Sequence, residues 1–177
     1  GMPYWQKTLL PDSAVLDDGS PPAVTIVEST GTGTARYRVA DFDASTDEIL
    51  YWAFTVPSDM ASGNWLLDIS WYANSTTANA DAIWAAQISC ASEGDTDTPA
   101  EQAADSANTA SENVNATEAN RLVQTTLTLS NLDSVAAGDV CTLRFFRDAD
   151  DSVGDADNDG LSVDARLKAV RLRIPRS

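Results

Sequence analysis

From Leu161 the chain alternates strictly. Leu161, Val163, Ala165, Leu167 and Ala169 fall on one side, and Ser162, Asp164, Arg166 and Lys168 on the other. A period of two describes a strand with one buried face, since a helix repeats about every 3.6 residues. Nearer the end the apolar set changes parity to Val170, Leu172 and Ile174. One extra residue in a ladder switches the faces, so the pattern predicts a β-bulge at Ala169-Val170. Upstream, Gly138-Asp139 is a turn signal set just before a strongly apolar strand over 140–147,. These two strands, joined by an acidic loop, leave an apolar face that other strands must cover.

The rest of the chain supplies them. The β-branched run Val24-Thr25-Ile26-Val27 predicts a strand over 23–28,. Residues 36–42 follow the Thr30-Gly31-Thr32-Gly33 turn, with Tyr37 and Val39 on one face and Arg36 and Arg38 on the other. Leu50, Trp52, Phe54 and Val56 share a side until Pro57, which cannot donate to a ladder, ends the strand,. Trp65, Leu67, Ile69 and Trp71 line the next strand, and Trp84, Ala86 and Ile88 point inward from 83–90. Val123, Thr125, Leu127 and Leu129 share a face of 121–129, and 131–135 reads as a helical turn. About eight to ten short strands without long helices predict an all-β, antiparallel β-sandwich, jelly-roll-like, with Leu143, Phe145, Leu167, Trp52, Trp71 and Trp84 in one core. No internal repeat is visible.

Two stretches read differently. Over 1–20, Pro3, Pro11 and the cluster Asp17-Asp18-Gly19-Ser20-Pro21-Pro22 allow at most one short strand,. Gly1 before Met2 reads as a scar of tag removal. Tyr4, Trp5, Leu9 and Leu10 are costly to leave wet, so the expectation is an N-terminal arm that docks on a neighbouring subunit, with one domain over 21–177. Residues 91–120 hold seven acidic side chains and no basic one. There Thr98-Pro99-Ala100-Glu101 combines a capping threonine, a proline at the first helical position and a capping-box glutamate. It predicts one short helix over 99–106, followed by a weak edge strand over 107–114.

Composition narrows the function classes. At 177 residues the chain is long enough to bury a core without staples,. No apolar run approaches the ~18 residues of a membrane span. Residues 2–10, with one lysine and no long apolar core, do not read as a signal peptide,. With 27 acidic against 11 basic residues, the net charge is −16. That disfavours nucleic-acid phosphates and anionic membranes as partners and describes a well-solvated surface.

The catalytic inventory is thin. The chain has no histidine, which excludes Ser-His-Asp and Cys-His arrangements. A phosphate-binding glycine loop and the zinc motifs H-E-x-x-H and C-x-x-C are also missing. A non-enzyme is therefore expected, with a carboxylate-based glycoside hydrolase as the least favoured option. Asp155, Asp157 and Asp159, followed by Gly160, match the start of a Ca²⁺ loop,. The twelfth position is Arg166 rather than a bidentate glutamate, and the flanks read as strands, so a solvated acidic loop and no cofactor are expected. Asp148, Asp150 or Asp151 would have to complete any calcium site. Cys90 and Cys141 both sit in predicted strands, where buried thiols are common, and a bridge requires Cα atoms within about 7 Å. Trp52, Trp65, Trp71 and Trp84 belong to the core, whereas Tyr51 and Tyr72 face the other way and are the aromatic candidates for a sugar platform. Asn74-Ser75-Thr76 and Asn115-Ala116-Thr117 match the glycosylation sequon and read as chance.

The strings Asp41-Phe42-Asp43-Ala44-Ser45-Thr46-Asp47-Glu48, Trp52-Ala53-Phe54-Thr55-Val56-Pro57, Trp71-Tyr72-Ala73-Asn74 and the run from Ala137-Gly138-Asp139 to Phe146-Arg147-Asp148-Ala149-Asp150 carry a resemblance. From about Pro21 onward the chain resembles small proteins encoded by tailed bacteriophages, prophages and environmental viral genomes. The resemblance implies a jelly-roll-like, virion-associated structural protein of decoration, fibre or tail-accessory type. Its partners would be copies of itself, as a trimer or another closed ring, and other virion proteins. It carries over no site residues. The alternative expectation, from the fold class, is a carbohydrate-binding β-sandwich module with a glycan partner.

Overall fold

The computed structural model describes residues 3–75 and 79–177. The centre of the polar loop, including Thr76 of the first sequon, lies outside the described residues, as do Gly1 and Met2. Among the described residues eleven strands run in chain order: β1 (Tyr4–Leu9), β2 (Val15–Leu16), β3 (Ala23–Glu28), β4 (Arg36–Phe42), β5 (Ile49–Thr55), β6 (Trp65–Ala73), β7 (Ala80–Ala91), β8 (Asn108–Val114), β9 (Val123–Leu129), β10 (Val140–Arg147) and β11 (Ala165–Pro175). The first sheet has the order β3-β4-β11-β6-β9, with β1 also paired to β11. The second has the order β2-β5-β10-β7-β8. All pairings are antiparallel. From β4 to β7 and again from β9 to β11, successive strands alternate between sheets, the jelly-roll connection,.

The core lies between the sheets and is built around aromatics. Trp65, Trp71 and Trp84 are fully buried, as are Phe42 and Phe145. Trp84 stacks on Phe145 with centroids 5.2 Å apart and meets Phe42 and Trp71 edge-on at 5.1 and 5.5 Å. Burying rings of this size accounts for much of the stability of a sandwich. Leu143, Leu167 and Trp52 join the same cluster, so the six residues expected in one core are in one core. The bulge in β11 falls at Lys168, one residue before the expected Ala169-Val170: Lys168 has no partner, between Leu167 opposite Trp71 and Ala169 opposite Ser70.

The expected free arm is part of the sandwich. β1 extends the first sheet and β2 the second, and a 3₁₀ turn over Pro11–Ser13 carries the chain between them. Leu9 is buried, and Trp5 packs on the core. The Leu10 carbonyl accepts from Trp52 Nε1 at 2.9 Å, and the Asp17 carboxylate accepts from Tyr51 at 2.9 Å. Of the apolar residues that suggested a subunit contact, Leu9 is buried and Tyr4 and Trp5 are half-buried within the chain, while Leu10 stays 42 % exposed.

The expected helix over 99–106 does not form. The capping box does: Glu101 accepts from the Thr98 N–H and hydroxyl, and the Glu101 N–H donates to the Thr98 carbonyl at 2.8 Å. It closes a single turn because the next residues are drawn onto β7. The Asp105 N–H donates to the Ile88 carbonyl, and Gln87 Nε2 donates to the Asp105 carbonyl. β8 then forms a full edge strand on β7. The 131–135 turn is left-handed, with φ of 51° at both Asp133 and Ser134, rather than helical.

Candidate functional site

The acidic loop after β10 is organised by one buried ion pair. Arg147 and Asp159 have fully buried side chains, with Nη2 and Oδ1 2.6 Å apart. Arg147 Nε also donates to Asp159 Oδ2 at 2.8 Å, which makes the pair bidentate,. The same guanidinium donates to the carbonyls of Leu161 and Val163. This explains why β11 begins at Ala165 although its alternation begins at Leu161. Leu161 and Val163 keep the inward side, but their carbonyls face Arg147 instead of a ladder.

That arrangement holds apart the three aspartates whose spacing matches the start of a Ca²⁺ loop. Asp159 is committed to Arg147 and to the Ile83 N–H. Asp155 accepts from the Thr109 hydroxyl, and Asp157 from Ser111 at 2.6 Å, both on β8. The carboxylates that do come together among the described residues are Asp47, Asp148 and Asp150, with one oxygen of each within 4.8 Å of the others. Such an all-oxygen set has the chemistry of a hard-cation ligand group. Asp148 and Asp150 are two of the residues considered from sequence as additions to that loop. Asp47, about a hundred residues earlier, carried no signal. In the fold it accepts the Ala149 N–H at 2.8 Å and helps close the loop. Burial, followed by the charges of Asp150 and Asp148, pushes the Asp47 carboxyl above its ordinary range.

The two tyrosines singled out from sequence lie on opposite outer faces. Tyr51 lies on the second sheet, bonded to Asp17 and packed beside Ile49, Ala85 and Phe146. Tyr72 lies on the first sheet, opposite Arg166, which in turn pairs with Asp41 of β4. Their neighbours Leu167, Trp71 and Ala40 face the core, so Tyr72, Arg166 and Asp41 face solvent,. Tyr37 has the parity of Asp41 and joins them.

Together these residues border an open groove of about 390 Å³, lined by Val27, Tyr37, Tyr72, Asn120, Leu122, Arg166 and Lys168. Both tyrosines are half-buried, and Leu122 is 60 % exposed. Burial and a hydrogen bond with Tyr37 push the Tyr72 phenol above its ordinary pKa, so it stays a neutral donor and acceptor. Arg166 Nε lies 2.9 Å from Asp41. Lys168, displaced by the bulge, sets Nζ 4.1 Å from the Tyr37 ring centroid,. Sequence parity identified Tyr72. It did not identify Tyr37, Asn120 or Leu122, because only the pairing of β4, β11, β6 and β9 brings them together.

Cys90 and Cys141 sit directly opposite each other on β7 and β10 and form a disulfide, with Cα atoms 4.1 Å apart. The sequence left the bridge open, because alternation placed both cysteines inward but gave no cross-strand register. Beside Cys90, a concavity of about 290 Å³ is walled by Asp95, Asp97 and Asp133. Asp95 accepts the Ser92 N–H within the 91–107 segment, Asp133 accepts the Cys90 N–H, and the segment is tied to β7 by the Ser89 hydroxyl, which donates to the Gln102 carbonyl, and by Asp105.

No protein-family model matches the chain, and no curated sequence matches it. Among solved structures it is similar to the CBM35 from Cellvibrio japonicus Abf62, at 10 % identity, with 95 % of this chain and 92 % of that one covered and a TM-score of 0.49. It is also similar to the C-terminal CBM6 of LamC, a laminarinase from Zobellia galactanivorans, at 10 % identity, 94 % and 98 % coverage and a TM-score of 0.45. A carbohydrate-binding module, CBM28, specific for non-crystalline cellulose, is similar at 9 % identity, 94 % and 89 % coverage and a TM-score of 0.46. Likenesses this distant place no ligand and no site on the chain.

Proposed function

We propose that this chain is a non-catalytic glycan-binding β-sandwich whose site is the groove on the outer face of the first sheet. The observation that carries the reading is the pairing of Tyr37 and Tyr72 on an open sheet face, beside Leu122 and the donors of Asn120, Arg166 and Lys168. A sugar ring presents an apolar C–H face and a rim of hydroxyls. Half-exposed aromatic rings suit the face, and convergent donors suit the rim. The missing histidine and the commitment of Asp159 to Arg147 support a binding role over a catalytic one. The Cys90–Cys141 bridge suits an oxidising surrounding, where extracellular glycans are met,. A virion-associated role and a closed homo-oligomer rest on the sequence resemblance, since the arm that suggested a subunit contact folds onto its own sheets.

The test is affinity electrophoresis of the full chain through gels containing soluble polysaccharides, followed by calorimetry on any that retard it. Tyr37→Ala and Tyr72→Ala are expected to weaken binding by about tenfold each, the loss of one aromatic contact. Val140→Ala, on the outer face of the second sheet, is expected to leave it unchanged. No retardation by any polysaccharide, or retardation that survives the double tyrosine variant, overturns the proposal.

A further inference from the structure

β11 carries four of the eleven cations of the chain and no carboxylate. They are Arg166 and Lys168 before the bulge and Arg171 and Arg173 after it. In a regular strand, residues 166 and 168 would face opposite to 171 and 173. The register shift between Leu167 and Ala169 turns the second pair round, so all four face outward from the first sheet,. Among the described residues, two carboxylates form ion pairs with them. Asp41 pairs with Arg166, and Asp68, 2 % exposed, pairs with both Arg171 at 2.7 Å and Arg173 at 2.8 Å. Lys168 has no ion-pair partner among the described residues. A chain of net charge −16 therefore presents one face with an excess of positive charge.

The cations form a row, not a point. Outward positions recur about every 6.6 Å along a strand, so the row is roughly 20 Å long. Tyr37 and Tyr72 stand at one end, and Tyr4 at the other, with the Arg173 guanidinium 5.3 Å from its ring centroid. Gln124, Thr126 and Thr128 of β9 have the same outward parity, beside β6.

Building on the glycan-binding reading above, we infer that the ligand is an anionic polysaccharide lying along β11. Its carboxylate or sulfate groups meet Lys168 and the exposed edges of the arginines, and its sugar rings rest on the tyrosines. A guanidinium matches either oxyanion in a planar fork, and an unpaired ammonium supplies a point charge without first breaking an internal pair. The rest of the acidic surface repels such a polymer and confines it to this face.

The experiment uses two matched pairs of gel matrices. One is polygalacturonate against its fully methyl-esterified form, and the other is dextran sulfate against dextran. Retardation by one charged member at least tenfold stronger than by its uncharged partner is expected, and the responding pair tells carboxylate from sulfate. Lys168→Gln, which removes no ion pair, is expected to cut that binding about five- to tenfold. It should leave the far-UV spectrum unchanged and weaken any binding to the neutral member, where Lys168 is only one hydrogen-bond donor of the groove, far less than binding to the charged one. Binding to the charged polymer should also vanish in about 1 M NaCl, where the screening length is about 3 Å. Equal binding to both members of a pair overturns the inference while leaving the glycan reading intact. Binding to none of the four overturns the inference, while retardation by another polysaccharide keeps the glycan reading. Charged-polymer binding indifferent to Lys168→Gln overturns the placement on β11. Equally strong binding to polyglutamate, a polyanion without sugars, overturns the glycan reading itself.

Discussion

Arg147 holds a buried charge that is costly to disturb,. Its charge is fully buried and balanced by Asp159, and its remaining donors hold the Leu161 and Val163 carbonyls. Removing one partner of such a pair leaves an uncompensated buried charge. Asp159→Ala is therefore expected to cost about 3–5 kcal/mol, read from urea melts, and to loosen the whole 148–164 loop in hydrogen exchange. Two other aspartates should respond to pH with opposite signs. Burial works against the Asp68 carboxylate, but Arg173, Arg171 and Thr126 together hold its pKa below the ordinary value. Asp68 thus stabilises the fold above the ordinary carboxylate pKa, and the gain is lost as pH falls through the lowered one. Asp68→Asn should cost about 1–2 kcal/mol at neutral pH, a modest figure because both arginines reach solvent. Its acid limb should also be shallower than that of the parent. Asp47 is raised by burial and by Asp150 and Asp148, so its contribution is present at low pH and lost as pH rises through the raised value,. Asp47→Asn keeps an acceptor for the Ala149 N–H. It should raise the melting temperature by about 1–2 °C at neutral pH and leave it unchanged near pH 3.

At the scale of elements, the disulfide and the N-terminal strands fasten what alternation alone would leave open. Cys90 and Cys141 join the two central strands β7 and β10 across a separation of 51 residues. In the chain-entropy account, a loop of that length corresponds to about 4 kcal/mol. Reduction, or Cys90→Ala with Cys141→Ala, is expected to lower stability by about 2–4 kcal/mol without changing the far-UV spectrum. An unchanged melting temperature in dithiothreitol would show that the cysteines are not bridged. β1 covers the edge of β11 beyond the point where β4 leaves it, from Leu9 opposite Val170 to Tyr4 opposite Pro175. It therefore satisfies backbone groups that would otherwise form an open edge.

On the scale of the whole molecule, stability is distributed unevenly. The two sheets share a continuous apolar core, whereas the segment between β7 and β8 carries few apolar side chains and is held by isolated polar contacts such as Gln102 to Asp95 at 2.9 Å. Regions of that composition open locally at low free energy. Limited proteolysis with an endoproteinase that cuts at acidic residues is expected to nick 92–107 first, and an initial cut inside β9, β10 or β11 would contradict this. Charge is distributed as unevenly as stability. The outward cations of β11 lie on one face of an acidic molecule, and that asymmetry is what the glycan experiments probe.

Alternation along each segment was enough to determine the all-β class, the inward set of tryptophans and leucines, and the bulge in β11. A side chain's face in a half-buried strand follows from its parity alone. Parity also placed Tyr72 outside. The sequence could not say which strands are neighbours. That decision belongs to the tertiary structure, and it settled everything involving partners distant in the chain. Tyr37 and Tyr72 share a groove because β4 and β6 flank β11. Cys90 meets Cys141 because β7 and β10 pair in that register. Asp47 joins Asp148 and Asp150 because β5 and β10 are adjacent. The same holds for three local patterns that the fold overrides. The capping box at Thr98 favours a helix by itself, but backbone groups of β7 offer the following residues better partners. The aspartates at 155, 157 and 159 resemble a calcium loop by spacing, but a buried arginine and the hydroxyls of β8 draw them apart. The apolar arm suggested a neighbouring subunit, but its own two sheets had open edges to receive it.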